Sequence, residues 1–293
     1  MPELSVSISS ITAKKRRPQE ALLYGFIYLL SGGAAALVVC LIVYVLAKGL
    51  PAVSFAFLSS AENPILETVG IFPSIVNTLY IVFFSLLVSV PLGVGGAIYL
   101  NEYAKNRRLV RLIEFAAETL SGIPSILYGV FGYVFFCVLL KLQVSLIAGV
   151  LTLAVMVLPI LLRTAQEALK AVPESYREGS RGLGAAKWYL IRTILLPCAL
   201  KGILTGILLS VGRMVGESAA LLLVAGGSAM YMPQGSVFAQ LSRSGSTLSV
   251  ALYRYAASRG DNDTAFGIAA VLLLIVVLLN LLTRFFAGRL EKK

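Results

Sequence analysis

Arg213 and Glu217 are the only charged residues inside the long apolar segments of this sequence, apart from Arg284 near the end of the last segment. A charged side chain at the bilayer centre costs roughly 2.5–3.5 kcal/mol on insertion scales, so such residues usually face a protein interior or a wet pathway. Their spacing places both side chains on one face of a predicted helix, one turn apart. Two hypotheses fit this pattern: an Arg–Glu pair that locks helix packing, or a site on a substrate pathway.

An arginine on a pathway favours an oxyanion as its ligand. The guanidinium fork meets two oxygens of phosphate or sulfate, whereas a lysine offers only a point charge. Phosphate carries a proton near neutral pH and sulfate does not, so a carboxylate can accept a hydrogen bond from phosphate but repels sulfate. We therefore expect Arg213 to attract the anion and Glu217 to discriminate. Gly212 and Gly216 have the G-x-x-x-G spacing that lets another helix approach closely.

The composition excludes a soluble enzyme. Of the 293 residues, 58% are hydrophobic and 13% are charged, against about 25% charged in an ordinary globular domain. The chain has no histidine, which removes the commonest general base and metal ligand. The three cysteines form no C-x-x-C pair, so neither a zinc site nor a disulfide framework is indicated. We expect a polytopic membrane protein without a metal or cofactor of its own.

Six segments are long and apolar enough to cross a bilayer, which needs about 20 residues per helix. They are 22–46, 71–99, 123–140, 144–162, 202–224 and 265–286. With the N-terminus inside, 19 of the 25 Lys and Arg residues lie on the inner side and five on the outer side. The positive-inside rule therefore predicts that both termini are cytoplasmic.

This topology divides the chain into three parts. We predict a cytoplasmic N-terminal arm (1–21), a six-span transmembrane domain (22–287) and a cytoplasmic tail (288–293). The domain includes a long cytoplasmic loop (163–201), which joins the fourth and fifth spans.

The sequence pattern of the loop 163–201 predicts two short helices. Pro173 suits a first helical turn, and a run of glycines ends the first helix by Gly184. The second helix is expected from near Ala185 to near Pro197. The glycines allow a sharp turn and close approach of another backbone. Two interpretations remain: a solvated loop with a surface helix, or a rigid helix–turn–helix presented to a cytoplasmic partner.

In this loop Glu178-Gly179-Ser180 is followed by three residues, Gly184, nine residues and Ile194-Leu195-Leu196-Pro197. The loop resembles the EAA loop of ABC importer permeases and has the complete spacing of that pattern. Two alanines of the family pattern are replaced by Gly179 and Ser180, which are also small. The resemblance implies a coupling helix that docks in a groove of an ATPase subunit. The residues it assigns to this contact are Glu178, Gly179, Ser180, Leu183, Gly184, Ile194 and Pro197.

Four further motifs lie at Leu100–Ala104, Gly122–Ile126, Gly212–Ala219 and Thr247–Val250. Through them the resemblance extends to phosphate-specific ABC importer permeases of the PstA type. It implies an all-α, MetI-like permease core with six transmembrane helices in the inner membrane of a prokaryote. It also implies four kinds of partner: a second, PstC-like permease subunit, two cytoplasmic ATPase subunits, an extracytoplasmic phosphate-binding protein and the lipid membrane.

The chain is predicted not to be an enzyme. It has no G-x-x-x-x-G-K-[ST] loop, so ATP is expected to bind to the partner ATPase. The resemblance implies ATP-driven import of inorganic phosphate by alternating access. The alternatives are a permease for another oxyanion, such as sulfate or molybdate, and an ion-coupled secondary transporter, which would also use intramembrane charges.

Two further residues are candidates for the substrate pathway. Ser125 follows a proline at the start of the third span, where it could satisfy freed backbone groups or line the pathway. Arg163 lies at the cytoplasmic end of the fourth span. It is either a positive-inside anchor or an anion contact at the cytoplasmic end of the pathway. Glu114 and Glu118, just before the third span, are expected to pair with arginines of the segment 107–111.

Overall fold

The computed structural model describes residues 18–63, 68–227, 232 and 235–290, and the predicted all-α fold is confirmed there. The α-helices are α1 Pro18–Gly49, α2 Phe55–Ser59, α3 Phe72–Ile98, α4 Arg107–Ser121, α5 Ser125–Gly132, α6 Leu146–Lys170, α7 Glu174–Gly182, α8 Lys187–Leu190, α9 Leu196–Val215, α10 Ala219–Val224, α11 Val237–Leu241, α12 Leu248–Tyr253 and α13 Asn262–Leu290. A 3-10 turn, Leu50–Ala52, follows α1. Four π-helical segments continue α3, α5, α8 and α12; they are Tyr99–Tyr103, Tyr133–Leu139, Ile191–Leu195 and Arg254–Arg259.

The chain divides into two units, Met1–Ala47 and Lys48–Lys293. The described part of the first unit is the single apolar helix α1. The second unit holds the remaining helices. Most of the predicted N-terminal arm (1–21) and the last three residues of the predicted tail (288–293) lie outside the described residues.

Five helices of the described residues are long and apolar enough to cross a membrane. They are Leu22–Ala52, Phe72–Tyr103, Leu146–Lys170, Lys187–Val215 and Asn262–Phe285. A sixth span exists if Arg107–Ser121 and Ser125–Leu139 are counted together, although the two are bent by 103°. The six predicted spans are therefore confirmed in number only when this bent pair counts as one.

The predicted fifth span, 202–224, has the wrong bounds. Its helix begins at Lys187 and ends at Val215, so the second predicted loop helix does not stop near Pro197. Pro197 lies in the first turn of α9, directly after the π-helical segment Ile191–Leu195. A proline is tolerated in a first helical turn because its missing N–H would have no helical partner there. The α-helical hydrogen bonding starts again at Leu196, directly after the π-helical segment, and continues to Val215. A separate, shorter helix, α10, lies in the rest of the predicted span.

The central helix of the second unit is α6. Two-thirds of its most apolar window is buried, compared with about one-third or less in the other four long helices. It packs between α3 and α9, and the Ser85 hydroxyl of α3 donates to the Val150 carbonyl of α6 at 3.0 Å. Its C-terminal end at Lys170 leads directly into the segment that carries α7. Residues of the predicted cytoplasmic loop are thereby attached to the most buried element of the fold.

The short helix α10 packs closely on α5 at Gly129. A Cβ at this position would stand 2.7 Å from the Cα of Ala220, so a larger residue must push the two backbones apart. We expect Gly129→Ala to lower the free energy of unfolding by about 1–3 kcal/mol through overpacking. Thermal unfolding of the purified chain in detergent measures this change.

Gly95→Ala is the matched control for that substitution. Gly95 lies in the long helix α3, and a Cβ there would meet nothing within 4 Å. Alanine should therefore leave the unfolding temperature unchanged or raise it slightly, since glycine is a poor helix former. Equal effects of the two substitutions would contradict the close contact between α5 and α10.

Candidate functional site

Arg213 lies in the last turn of α9 and not in the middle of a span, because the helix ends at Val215. Glu217 therefore lies beyond the helix, and the predicted placement of both side chains on one helical face is wrong. No hydrogen bond or ion pair between Arg213 and Glu217 occurs in the described part of the chain. The Arg213 Nε is buried and has no hydrogen-bond partner among the described residues. Its charge is thus not neutralised by the nearby carboxylate.

Glu217 instead holds the start of α10. Its Oε1 accepts a hydrogen bond from the backbone N–H of Ala220 at 3.1 Å, which satisfies one of the free donors at a helix N-terminus. Its backbone carbonyl accepts a hydrogen bond from the Ser249 hydroxyl at 2.7 Å. The residue is buried, with 8% of its surface exposed. Glu217 is consequently fixed by two elements that follow it in sequence.

The segment around Ser249 is itself fixed against α3. The Thr78 hydroxyl accepts a hydrogen bond from the backbone N–H of Leu248 at 2.9 Å. The Asn77 amide donates to the Ser246 carbonyl at 3.1 Å. The motif Thr247–Val250, on which part of the predicted family resemblance rested, therefore positions Glu217 through Ser249.

The two glycines beside Arg213 face open space within this chain. A Cβ at Gly212 would meet nothing within 4 Å, and one at Gly216 would approach only the Gly212 carbonyl, at 3.7 Å. The predicted close approach of a second helix is not made by a helix of the described residues. Met214, the residue after Arg213, packs in the same apolar core as Tyr128 of α5.

Ser125 and Arg163 are placed apart from this pair. Ser125 is the first residue of α5, at the bend after α4, and is half-buried. Arg163 lies on α6 with its side chain 50% exposed, and its guanidinium contacts Glu118 at 3.1 Å and Glu167 at 3.4 Å. No hydrogen bond or ion pair of the described residues joins Ser125 or Arg163 to Arg213 or Glu217.

The prediction that Glu114 and Glu118 pair with arginines of the segment 107–111 is wrong. Glu114 pairs with Lys170 at 2.9 Å and Glu118 with Arg163 at 3.1 Å, so both carboxylates of α4 face α6. The reason is tertiary packing: one face of α4, which includes the buried Ala117, lies against α6. The arginines at the start of α4 form no ion pair within the part of the chain that the structure describes.

The predicted docking element is an exposed helix. Glu178, Gly179 and Leu183 are exposed, and Leu183 is 90% accessible despite its apolar side chain. A Cβ at Gly179 or Gly184 would meet nothing within 4 Å, and Gly184 has a φ of 72° that ends the turn after α7. This surface leaves room for another backbone to approach.

Three of the residues predicted to dock an ATPase have other surroundings. Ser180 is buried on the inward side of α7. Ile194 lies in the π-helical segment and packs, partly buried, against the apolar residues where the ends of α3, α6 and α8 meet. Pro197 is exposed in the first turn of α9. Of the residues predicted to dock an ATPase, those exposed at α7 and the turn after it are therefore Glu178, Gly179, Leu183 and Gly184.

A buried ion pair anchors α7, and the sequence did not single it out. The Arg177 guanidinium contacts the Glu102 carboxylate at 3.3 Å, with side-chain exposures of 9% and 5%. It also donates to the carbonyls of Val172 at 3.0 Å and Leu169 at 2.9 Å, at the end of α6. Arg177 thereby joins α7 to the ends of α3 and α6. The sequence pointed to Arg177 only through its spacing of one helical turn from Glu174, with which it also pairs at 3.2 Å.

A second buried carboxylate was also missed. Glu62 is 5% exposed, and both of its oxygens accept hydrogen bonds from Arg254, at 3.0 and 3.2 Å. Arg254 also donates to the Gly227 carbonyl, and Arg259 binds the same carboxylate. Burial, reinforced by the negative charge of Glu62, raises the pKa of Tyr255 in this cluster. The cluster ties the segment before α3 to the end of α12, and so stabilises the element that holds Glu217.

The family described as "Binding-protein-dependent transport system inner membrane component" matches residues 89–293 of this chain. The "Probable ABC transporter permease protein YqgI" of Bacillus subtilis is 33% identical over 288 residues, which cover 95% of this chain and 98% of that protein. The "Phosphate transport system permease protein PstA" of Haemophilus influenzae is 33% identical over 256 residues, which cover 84% of this chain and 86% of that protein.

Two solved structures have a similar fold. A bacterial alginate ABC transporter in complex with a pentasaccharide-bound periplasmic protein matches with a TM-score of 0.69 at 14% identity, over 94% of this chain and 97% of that one. An inward-facing form of the MetNI methionine ABC transporter matches with a TM-score of 0.56 at 24% identity, over 76% and 93%. At these identities the likeness concerns the fold alone.

Proposed function

This chain belongs to the family of binding-protein-dependent transport system inner membrane components, the permease subunits of ABC transporters, and on that premise we propose that it imports inorganic phosphate. Relatives named as phosphate transport permeases, at 32–34% identity over most of the chain, support this substrate. The proposal includes alternating access driven by ATP on separate subunits, with both termini of this chain in the cytoplasm.

The observation that carries the substrate proposal is the state of Arg213. Its Nε is buried without a hydrogen-bond partner among the described residues, and its charge is not paired with Glu217. A buried donor without a partner is costly, so the site gains most from a ligand that accepts hydrogen bonds and carries negative charge. A phosphate oxygen meets both requirements, and a guanidinium can bind two such oxygens at once.

Arg213 and Glu217 then act separately on the ligand. Arg213 provides attraction, because no described carboxylate competes for its charge. Glu217 is fixed by α10 and by Ser249, and in our proposal its carboxylate accepts a hydrogen bond from protonated phosphate. Ser125 at the α4–α5 bend and Arg163 further towards the end of α6 contribute at other depths of the same pathway.

The open surfaces support the proposed partners. The exposed glycine face at Gly212 and Gly216 suits a second, PstC-like permease that completes the pathway. The exposed docking surface around Leu183 suits two ATPase subunits, one on each permease. A phosphate-binding protein would deliver the ion to the segments that follow α1 and α10.

Reconstitution of the whole complex in proteoliposomes tests this function. We expect phosphate uptake that requires ATP and is not inhibited by excess sulfate. Uptake without ATP would identify an ion-coupled transporter and overturn the proposal. ATP-driven uptake of sulfate or molybdate in preference to phosphate would overturn the substrate while leaving the family assignment intact.

Glu217→Gln separates the charge of this residue from its structural role. Glutamine keeps an amide oxygen that can accept the Ala220 N–H, so α10 should remain capped while the negative charge is lost. We expect sulfate to inhibit phosphate uptake at least about tenfold more strongly in this variant, because the repulsion is removed. Inhibition curves in the same proteoliposomes measure the change.

Glu217→Ala serves as the comparison, since it removes both the charge and the cap. The loss of an N-terminal cap costs about 0.5–2 kcal/mol of stability. If Glu217 only caps α10, the glutamine variant should exclude sulfate as well as the wild type does, and only the alanine variant should be impaired.

A further inference from the structure

The helix α4 has two different apolar surfaces. One side, including Ala117, Val110 and Ile113, packs in the core with α6. A second side exposes Leu112 and Phe115, which are 63% and 67% accessible. A helix with an exposed apolar side and several arginines has the composition of an interfacial, membrane-surface helix.

The bend after α4 supports this placement. The two parts of the bent pair meet at 103°, so α4 lies along the membrane surface if α5 crosses the bilayer. The neighbouring Lys170 ends α6 and leads into the predicted cytoplasmic loop. The bend, together with the proposed topology, puts α4 at the boundary between the inner leaflet and the cytoplasm.

A cavity of about 730 Å³ opens beside α4. Arg107, Arg111, Glu114 and Lys170 provide its charged lining, and Leu100 and Val110 provide part of its apolar lining. Glu114 and Lys170 are paired with each other at 2.9 Å. Arg107 and Arg111 form no ion pair within the described residues, so the cavity keeps two uncompensated positive charges.

The neighbouring cavity on the same helices is different. It has a volume of about 230 Å³, and its charged lining includes Glu118 and Glu167 around Arg163. Three carboxylates face two cations there, so this cavity carries no net positive charge. Of the two cavities beside α4, only the one at the start of the helix has cations without a paired carboxylate.

We propose that this cavity, lined by Arg107 and Arg111, binds the phosphate headgroup of an anionic phospholipid of the inner leaflet. The acyl chains would lie along Leu112 and Phe115. Two guanidinium groups one helical turn apart match a phosphodiester, and the adjacent apolar side matches hydrocarbon. The lipid would fix α4, and with it the bend that leads into α5.

The test is the retention of phosphatidylglycerol by the purified complex. The whole transporter is extracted in mild detergent, titrated with phosphatidylglycerol and analysed by native mass spectrometry. Arg107→Gln together with Arg111→Gln should weaken binding at this site by about 30-fold, which corresponds to about 1 kcal/mol for each basic residue near a lipid surface. Phosphatidylcholine should bind the wild type and the variant equally weakly.

Lys105→Gln together with Arg108→Gln is the matched control. It removes the same charge from the same segment, but neither residue lines the cavity. An equal loss of lipid in the control would overturn the proposal, because it would show only a general attraction to anionic membranes. Unchanged retention in the Arg107/Arg111 variant would overturn it as well.

Two additional arms distinguish other occupants. Excess inorganic phosphate should not displace the lipid, since the apolar contacts with Leu112 and Phe115 are absent for the free ion. Displacement by phosphate would identify a soluble anion site instead. A photo-crosslinker at position 115 should label lipid; labelling of the partner permease would show a protein interface and refute the proposed occupant.

Discussion

Arg213→Ala is expected to abolish phosphate uptake by the reconstituted complex. The substitution removes a guanidinium whose Nε is buried without a hydrogen-bond partner within the described residues and which forms no ion pair with a described carboxylate. Truncating one side of a buried, charged contact costs about 2–5 kcal/mol, which corresponds to at least about a 30-fold loss at 1.4 kcal/mol per tenfold. Because Arg213 forms no ion pair within the described residues, its removal breaks none there, and the complex should still assemble.

Arg213→Lys is the informative intermediate. It keeps the charge but loses the planar fork, so it should retain some uptake with weaker preference for oxyanions. Arg284→Ala, which removes an exposed arginine of α13, is the control and should transport at the wild-type rate. Normal phosphate uptake by Arg213→Ala in an assembled complex would refute the role of this residue.

Arg177→Met is expected to uncouple ATP hydrolysis from uptake. The substitution leaves Glu102 as an unpaired carboxylate with 5% side-chain exposure, and it removes the hydrogen bonds to the end of α6. Breaking one side of a buried ion pair costs about 3–5 kcal/mol. We expect α7 to lose its fixed position and phosphate taken up per ATP hydrolysed to fall by at least about tenfold.

Two variants show whether the buried pair causes that loss. Arg181 lies on the same helix, 3.6 Å from Glu174, and its side chain is 62% exposed. Arg181→Ala should therefore leave the coupling of ATP hydrolysis to uptake intact, because exposed ion pairs contribute little. Glu102→Leu combined with Arg177→Met removes both charges and should recover part of the coupling, because no buried charge then lacks a partner. A double variant no better than the single one would argue against the ion pair as the anchor.

Local patterns in the sequence were sufficient for the class of protein and most of its helices. Long apolar runs predicted the spans, since each must satisfy its backbone hydrogen bonds within the helix. The spacing from Glu178 to Pro197 marked the segment that includes the exposed surface of α7. The prediction that Arg213 lies on the substrate pathway rested only on its charge and its position in an apolar run.

The pairing of charges required the tertiary structure. Glu114 and Glu118 have arginines close in sequence, yet they pair with Lys170 and Arg163 because α4 packs on α6. Glu102 and Arg177 are far apart in sequence and meet only because the ends of α3 and α6 converge under α7. Such contacts depend on which helices are neighbours, and periodicity within one segment carries no such information.

The relation between Arg213 and Glu217 shows the same division within one short segment. The sequence determined that an arginine and a carboxylate would lie close together in an apolar region, through residue type and spacing alone. The structure decided that they do not pair, because the helix ends at Val215 and the Glu217 carboxylate caps α10. Packing of α10 against α5 and the hydrogen bond from Ser249 favour that break over a continuous helix.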